Sequence, residues 1–239
     1  MHSYHRPRLC VIVGTSGAGK SFVENRLLRA FPNLVRAVST TTRAPRPGER
    51  EGRDYNFVTP ESFQQMCEAG EMAEWASYDG HSYGTVRASI QNPLIASDVV
   101  KVVDTVGADA IRNIWPNCWT VFIDTPSILE QEQRLHDRGN SAVEIARRMN
   151  HAQTIERPWA FHRSREESLR IHEGLPRRFH IVYSIVKELT VRDVARAFGL
   201  STDELPKPKL HSSRPSLLQA PYYKRARSPV GQPRRIDHA

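Results

Sequence analysis

Gly14-Thr15-Ser16-Gly17-Ala18-Gly19-Lys20-Ser21 is the stretch whose reading decides the fold. It follows an apolar run, Leu9-Cys10-Val11-Ile12-Val13, and precedes Phe22, Val23, Leu27 and Leu28, which recur at helical spacing through 21–30. Strand, glycine-rich loop and helix in that order are the setting in which G-x-x-x-x-G-K-[ST] cradles phosphate as a P-loop. Glycines let the backbone wrap until its N–H groups face phosphate oxygens, and the helix N-terminus adds positive potential. In such a loop Lys20 reaches the β- and γ-phosphates of ATP and the Ser21 hydroxyl ligates Mg²⁺. Gly14, Thr15, Ser16, Gly17, Ala18, Gly19, Lys20 and Ser21 are therefore candidate ATP-binding residues. The glycine spacing does not give G-x-G-x-x-G, which disfavours a dinucleotide.

Downstream, a strand at 34–38 opens onto a polar stretch at 39–54 with turn chemistry throughout. A strand at 55–58, a helix at 60–69 with Pro60 in its first turn, and a strand pair at 72–86 turning at Asp79-Gly80 make a small substrate lobe. Strands then alternate with helices: strand 99–103 ending at Asp104, helix 107–114, strand 119–123, helix 127–138. Residues 141–172 read as helical despite Pro158, followed by strand 180–185 and helix 191–198. The alternation predicts an α/β fold with a central parallel sheet flanked by helices.

With 239 residues, 39% hydrophobic and 25% charged, the chain has the make-up of a soluble globular protein. The apolar run before Gly14 is too short for a signal peptide or membrane span, so no membrane partner and a cytoplasmic location are expected. Cys10, Cys67 and Cys118 are odd in number and widely spaced, and the ten histidines form no ligand pattern. A metal should arrive only with the nucleotide. The formal net charge of +8 belongs to the tail, because 205–239 carries eight Lys or Arg against Asp237. That Pro- and Arg-rich tail, 201–239, reads as disordered; its charge would also suit nucleic-acid phosphates, but a solvated extension is the simpler reading.

A P-loop leaves the phosphoryl acceptor open, and the next motif addresses it. Ser39-Thr40-Thr41-Thr42-Arg43-Ala44-Pro45-Arg46-Pro47-Gly48-Glu49 is followed by Gly52-Arg53-Asp54-Tyr55-Asn56-Phe57-Val58. Two arginines beside a tyrosine can clamp a dianionic phosphate, since guanidinium forks pair bidentately with its oxygens.

These two segments closely resemble the guanylate kinase family, and the resemblance runs from about Leu9 to Arg148. It implies an ATP-dependent nucleoside monophosphate kinase with a GMP-binding lobe over about 39–96, a core of 8–38 and 97–200, and a helical lid at about 134–150. By the same resemblance Arg43, Arg46, Tyr55 and Tyr83 hold the GMP phosphate. Ser39, Glu74 and Thr85 read the guanine edge, and Asp104 positions substrate or Mg²⁺. A carboxylate at Glu74 suits guanine, which offers N1–H and an exocyclic amine together; adenine has no such pair. Arg134, Arg138 and Arg148 match the arginine clusters flanking the lid. Val102 and Val106 depart from the family pattern, as does the segment near Tyr183-Ser184.

Transfer between phosphates needs little acid or base help, because the attacking oxygen is already ionised. The catalytic expectation is therefore cationic: Lys20, Arg46, Arg138 and Arg148 with Mg²⁺ align and neutralise two polyanions. Acceptors consistent with this reading are GMP, dGMP or a related nucleoside monophosphate. A kinase of this fold acting on a modified deoxynucleotide, and a non-catalytic scaffold binding a phosphorylated peptide, stay open as alternatives.

Overall fold

The computed structural model describes residues 6–78, 80–184, 187–203 and 205. The chain opens with β1 (Leu9–Gly14), α1 (Lys20–Ala30), β2 (Leu34–Arg36), β3 (Thr40–Thr41) and β4 (Asn56–Phe57). It continues through α2 (Pro60–Glu68), β5 (Met72–Tyr78), β6 (His81–Val86), α3 (Arg87–Gln91), β7 (Asp98–Val102) and α4 (Thr105–Ile114). β8 (Trp119–Asp124), α5 (Ile128–Asp137), α6 (Ala142–His151), α7 (Arg157–His172), β9 (Phe179–Tyr183) and α8 (Lys187–Ala197) complete it.

Five strands form one sheet in the order β2-β7-β1-β8-β9, every pairing parallel. Its central strand β1 is buried throughout because helices cover both faces. Cys10 and Ile12 join Val23 and Leu27 of α1 and Val194 of α8 on one side. Leu9, Val11 and Val13 join Ala108 and Ile111 of α4 and Ala160 of α7 on the other. Each such aliphatic side chain removed from water contributes about 1.5–3 kcal/mol, which is why continuous apolar runs specify this layer.

The second sheet runs β4-β3-β6-β5. Its β3–β6 and β5–β6 pairs are antiparallel, while β3–β4 is parallel. Here the structure corrects the sequence reading of 39–54 as turn throughout. Thr40 and Thr41 are buried and pair with Gly84 and Tyr83, a pleated position that suits β-branched side chains. A second correction concerns Asp104, which lies beyond β7 and caps α4, its carboxylate accepting from Gly107 N at 2.7 Å. The short helix α3 also had no counterpart in the expected elements.

Helix persists through Pro158, as the sequence reading expected, with Pro158 in the first turn of α7 directly after a stretch of π-helix. A π-helical turn, Ala152–Glu156, joins α6 to α7. Thr59 and Ser127 cap α2 and α5, and Ser141 with Glu144 forms a reciprocal capping box at α6. The expected turn residue Asp79, the end of the last strand at Ile185, and the basic tail beyond 205 lie outside the described residues.

β1 and β8 converge so closely at Gly14 that a Cβ there would stand 2.0 Å from the Ile123 carbonyl oxygen, at a backbone φ of +150°. Gly14→Ala should therefore lower stability by about 2–3 kcal/mol, read as a drop in the urea midpoint without change in slope.

Candidate active site

The loop after β1 closes on itself before any ligand is considered. Thr15 N donates to Ile123 O at 3.1 Å, and the Thr15 hydroxyl donates to Asp124 Oδ1 at 2.9 Å. Gly17 and Gly19 hold φ of +92° and +89°, which only glycine adopts freely. Gly19 starts α1 without a side-chain cap, and no acid follows in the first turn. The amides of that helix end are thus left for an anion from outside. Lys20 folds over the loop, its Nζ donating to Gly14 O at 2.6 Å and Thr15 O at 3.1 Å. Ala18 is buried, and Ser21 is exposed at the start of α1.

Three of the four cationic residues expected from the sequence share one electrostatic environment. Burial pushes the Lys20 ammonium below the usual lysine range; Glu156 and Asp104 oppose the shift, and Arg138 and Arg148 add to it. Arg148 Nη1 donates to Ser16 Oγ at 2.9 Å, so α6 rests on the phosphate loop. Arg138 ends α5 and, with Arg134, Gly17, Ala18, Gly19 and Ser184, lines a cavity of about 270 Å³. Arg134 is fixed there by bonds to Ser184 Oγ and Ser184 O, both 2.7 Å, and to Glu130 at 2.8 Å.

Arg46 stands apart from that group. It is exposed, and its charge acts on Glu49 and Tyr55. Around it the residues expected to hold a phosphate do gather: Arg43 lies 5.4 Å from the Tyr55 ring centre, its charge is felt by Tyr83, and Tyr55 and Tyr83 meet edge to face at 6.2 Å. The Arg43 fork is occupied by Glu49, both of whose oxygens accept from Nη2 at 2.9 Å. Backbone donation from Arg46 and the Arg43 fork hold the Glu49 carboxyl below its usual range.

Glu74 and Thr85 face each other across β5 and β6, and the Thr85 hydroxyl donates to Glu74 Oε1. Burial raises the Glu74 carboxyl above the usual range, with Thr85 and Lys101 opposing. Gly107 leaves room for it, since a Cβ there would lie 3.2 Å from Glu74 Oε2. Ser39, Tyr55 and Glu49 line a second cavity of about 300 Å³ together with Ser21, Lys101 and Val102. Both cavities lie at the carboxyl ends of the parallel strands, where open α/β sheets bind ligands. A roomier hollow of about 460 Å³ sits at the opposite ends, between Arg8, Trp115 and Arg178.

Sequence reasoning missed four contributors. Asp124 accepts from Thr15, from Thr125 N, and from Arg157 at 2.9 and 3.0 Å. Arg157 also reaches Gln131 Oε1 at 2.9 Å, and Gln131 donates to Ser16 O at 2.9 Å. Glu156, buried in the π-helical turn, sets its charge against Lys20. Lys101 is buried within β7. The detectable signal for Lys101 and Asp124 was a charge within or at the end of an apolar strand run; Glu156 and Arg157 had none.

The profile of the family described as guanylate kinase matches residues 6–161. The chain belongs to the guanylate kinase family. It is 41% identical over 149 residues to the guanylate kinase of Synechococcus sp. (strain JA-3-3Ab), a span of 62% of this chain and 69% of that protein. The guanylate kinase of Nocardia farcinica (strain IFM 10152) is 46% identical over 149 residues, 61% of this chain and 77% of that one. In three dimensions the chain is similar to the crystal structure of guanylate kinase from Anaplasma phagocytophilum, with a TM-score of 0.54 and 24% identity over 80% of this chain and 85% of that one. The structural likeness agrees on the fold, and the family match spans both cavities' loops as far as α7. Among the described residues no helix is long and apolar enough to cross a membrane, and no group of His, Cys, Asp or Glu side chains gathers to hold a metal alone.

Because Asp124 is buried and paired, Asp124→Asn should leave the Arg157 charge without its counter-ion and cost about 3 kcal/mol. Chemical denaturation monitored by tryptophan fluorescence reads that loss.

Proposed function

We propose that this guanylate kinase family member transfers the terminal phosphoryl group of ATP to GMP, with ATP seated on the loop 14–21 and GMP in the cavity beside β3, β5 and β6. The single observation that carries the reading is that Ser21 of the phosphate loop lines the same cavity as Ser39, Glu49 and Tyr55 of the acceptor motif. Donor and acceptor groups therefore open onto a common space, which an in-line transfer requires.

In this reading the uncapped amides at Gly19 and Lys20 and the Lys20 ammonium hold the β- and γ-phosphates. ATP phosphate replaces the carbonyl and carboxylate partners that Lys20 has without it. Arg138 and Arg148 neutralise charge spreading over the transferring group, and Arg134 with Ser184 forms a wall of the cavity into which the adenine extends. Arg43, Arg46, Tyr55 and Tyr83 take the GMP phosphate, whose oxygens displace Glu49 from the Arg43 fork. Glu74 accepts from guanine N1–H and the exocyclic amine, with Thr85 fixing its orientation. The exposed Ser21 hydroxyl fits a hard cation that also binds phosphate oxygens; bound with ATP, Mg²⁺ supplies charge neutralisation across those oxygens. Asp104 holds the start of α4 against Glu74, and its charge also reaches Lys20. The family resemblance supplies the acceptor's identity, and the geometry supports it.

ADP formation measured across GMP, dGMP, AMP and UMP tests the reading: turnover with a guanine acceptor is expected, and none with any acceptor would overturn it. Lys20→Ala should reduce turnover by at least about a hundredfold while the circular dichroism spectrum stays that of the parent. Glu74→Gln should lower kcat/KM for GMP by about a hundredfold and narrow the gap to AMP, since a neutral amide mismatches the guanine donors; an unchanged ratio of GMP to AMP rates would remove Glu74 from the site.

A further inference from the structure

Lys101 has no evident structural reason to be where it is. It occupies the middle of β7, between β1 and β2, and is 2% exposed, the bulkiest of the fully buried side chains among the described residues. An ammonium in that place carries a large desolvation penalty unless it is paired. Its Nζ donates to Ala37 O at 3.1 Å and to Ser39 Oγ at 2.5 Å. The remaining N–H has no hydrogen-bond partner among the described residues, and Lys101 lines the acceptor cavity beside Ser39 and Val102. Around it stand charges from three elements: Glu74 of β5, Glu24 of α1 and Arg36 of β2.

The Lys101 contact decides which way the Ser39 hydroxyl works. An ammonium can only donate, so Ser39 Oγ spends a lone pair on it and must direct its own hydrogen elsewhere. Glu74, by contrast, is an acceptor. Ser39 and Lys101 line the cavity as donors, and Glu74, whose charge acts on Lys101, stands near them as an acceptor. A purine carrying a carbonyl oxygen next to N–H donors fits that order; one carrying an amino group in the carbonyl's place meets donors with a donor.

We propose that Lys101 is a specificity-determining residue of the acceptor site: it polarises Ser39 as a donor and, with it, recognises the 6-oxo group of the guanine base. This rests on the reading of the cavity as a GMP site. Lys101 acts partly through Ser39 and is in that respect a positioning residue. A charged donor strengthens the bond to a carbonyl beyond what a lone hydroxyl gives. Burial lowers the Lys101 ammonium to about 8, with Glu74 and Glu24 opposing the shift and Arg36 adding to it.

The test compares GMP with 6-thio-GMP, in which a sulfur replaces the oxygen and the N1–H and amino donors remain. In the parent enzyme the ratio of kcat/KM for GMP to that for 6-thio-GMP should exceed the ratio in Lys101→Met by about fivefold or more. The loss in the variant should fall mainly on KM for GMP. A ratio unchanged within about twofold, with GMP still phosphorylated, overturns the role of Lys101 and leaves the kinase reading standing. A parent enzyme that phosphorylates no guanine nucleotide overturns both. The pH profile probes the same role. Since kcat/KM reports the free enzyme, its value for GMP should fall as pH rises through about 8, while KM for ATP does not follow. Loss of that alkaline limb in Lys101→Met supports the proposal, and a limb that persists unchanged in Lys101→Met overturns it.

Discussion

Asp124 is the junction on which the site's geometry depends. Placed at the end of β8 and 6% exposed, it holds the phosphate loop through Thr15, its own strand end through Thr125 N, and α7 through both nitrogens of the Arg157 fork. Arg157 passes the constraint to Gln131 of α5, and Gln131 returns it to the loop at Ser16 O. The network closes a ring from strand to loop to two helices. Buried polar groups of this kind are costly without partners, so the bonds that Asp124, Arg157 and Gln131 make favour one mutual arrangement of the loop, α5 and α7, although Arg157 Nη1 is buried without a hydrogen bond.

That fixed frame has to contain a repulsive set of charges. Burial lowers the Lys20 ammonium, and the nearby charges of Arg138 and Arg148 add to that effect. The protein offsets this with its own oxygens: loop carbonyls at Gly14 and Thr15, the carboxylate of Glu156, and on the acceptor side Glu49 in the Arg43 fork. These partners have the acceptor chemistry of phosphate but hold no ligand. Under the proposed function, phosphate would exchange for these partners like for like, keeping the cations oriented at little reorganisation.

Much of the parallel layer was legible because its causes are local or periodic. Leu9 to Val13 and the glycines that follow announce a strand and a cradle within a few residues. The same locality made Pro60 and Ser127 readable as helix starts. What escaped the sequence depends on contacts between distant segments. Thr40 and Thr41 were hidden by the prolines and arginines after them, and they became a strand only because β6 lay alongside. Asp104 reads as the end of a strand because valines precede it, whereas the backbone has already turned and needs a cap for Gly107 N. Arg157 resembles any arginine at a helix start until β8 brings Asp124 against it. The roles proposed for Arg43, Tyr55 and Glu74 come from the family resemblance; spacing alone would have left each as an ordinary surface residue. Lys101 was visible as an anomaly, a charge among four valines, and its partners were not.

Coupling between the two cavities follows from the neighbouring residues Arg147 and Arg148. Arg148 bonds to Ser16 on the phosphate loop, while Arg147 bonds to the Tyr78 hydroxyl at the tip of β5 and lies 5.1 Å from the ring centre. Consecutive helical residues point about 100° apart, so one short stretch of α6 touches the glycine-rich loop with one side chain and β5 of the second sheet with the next. The capping box at Ser141 and Glu144 stiffens the start of that helix, and Gly139, at φ +76°, makes the turn that sets its direction after α5. A displacement of α6 as a unit therefore cannot change one contact without changing the other. The glycine-rich loop and the second sheet are mechanically joined through a single helix, and Arg148 and Arg138 ride on it and on the end of α5.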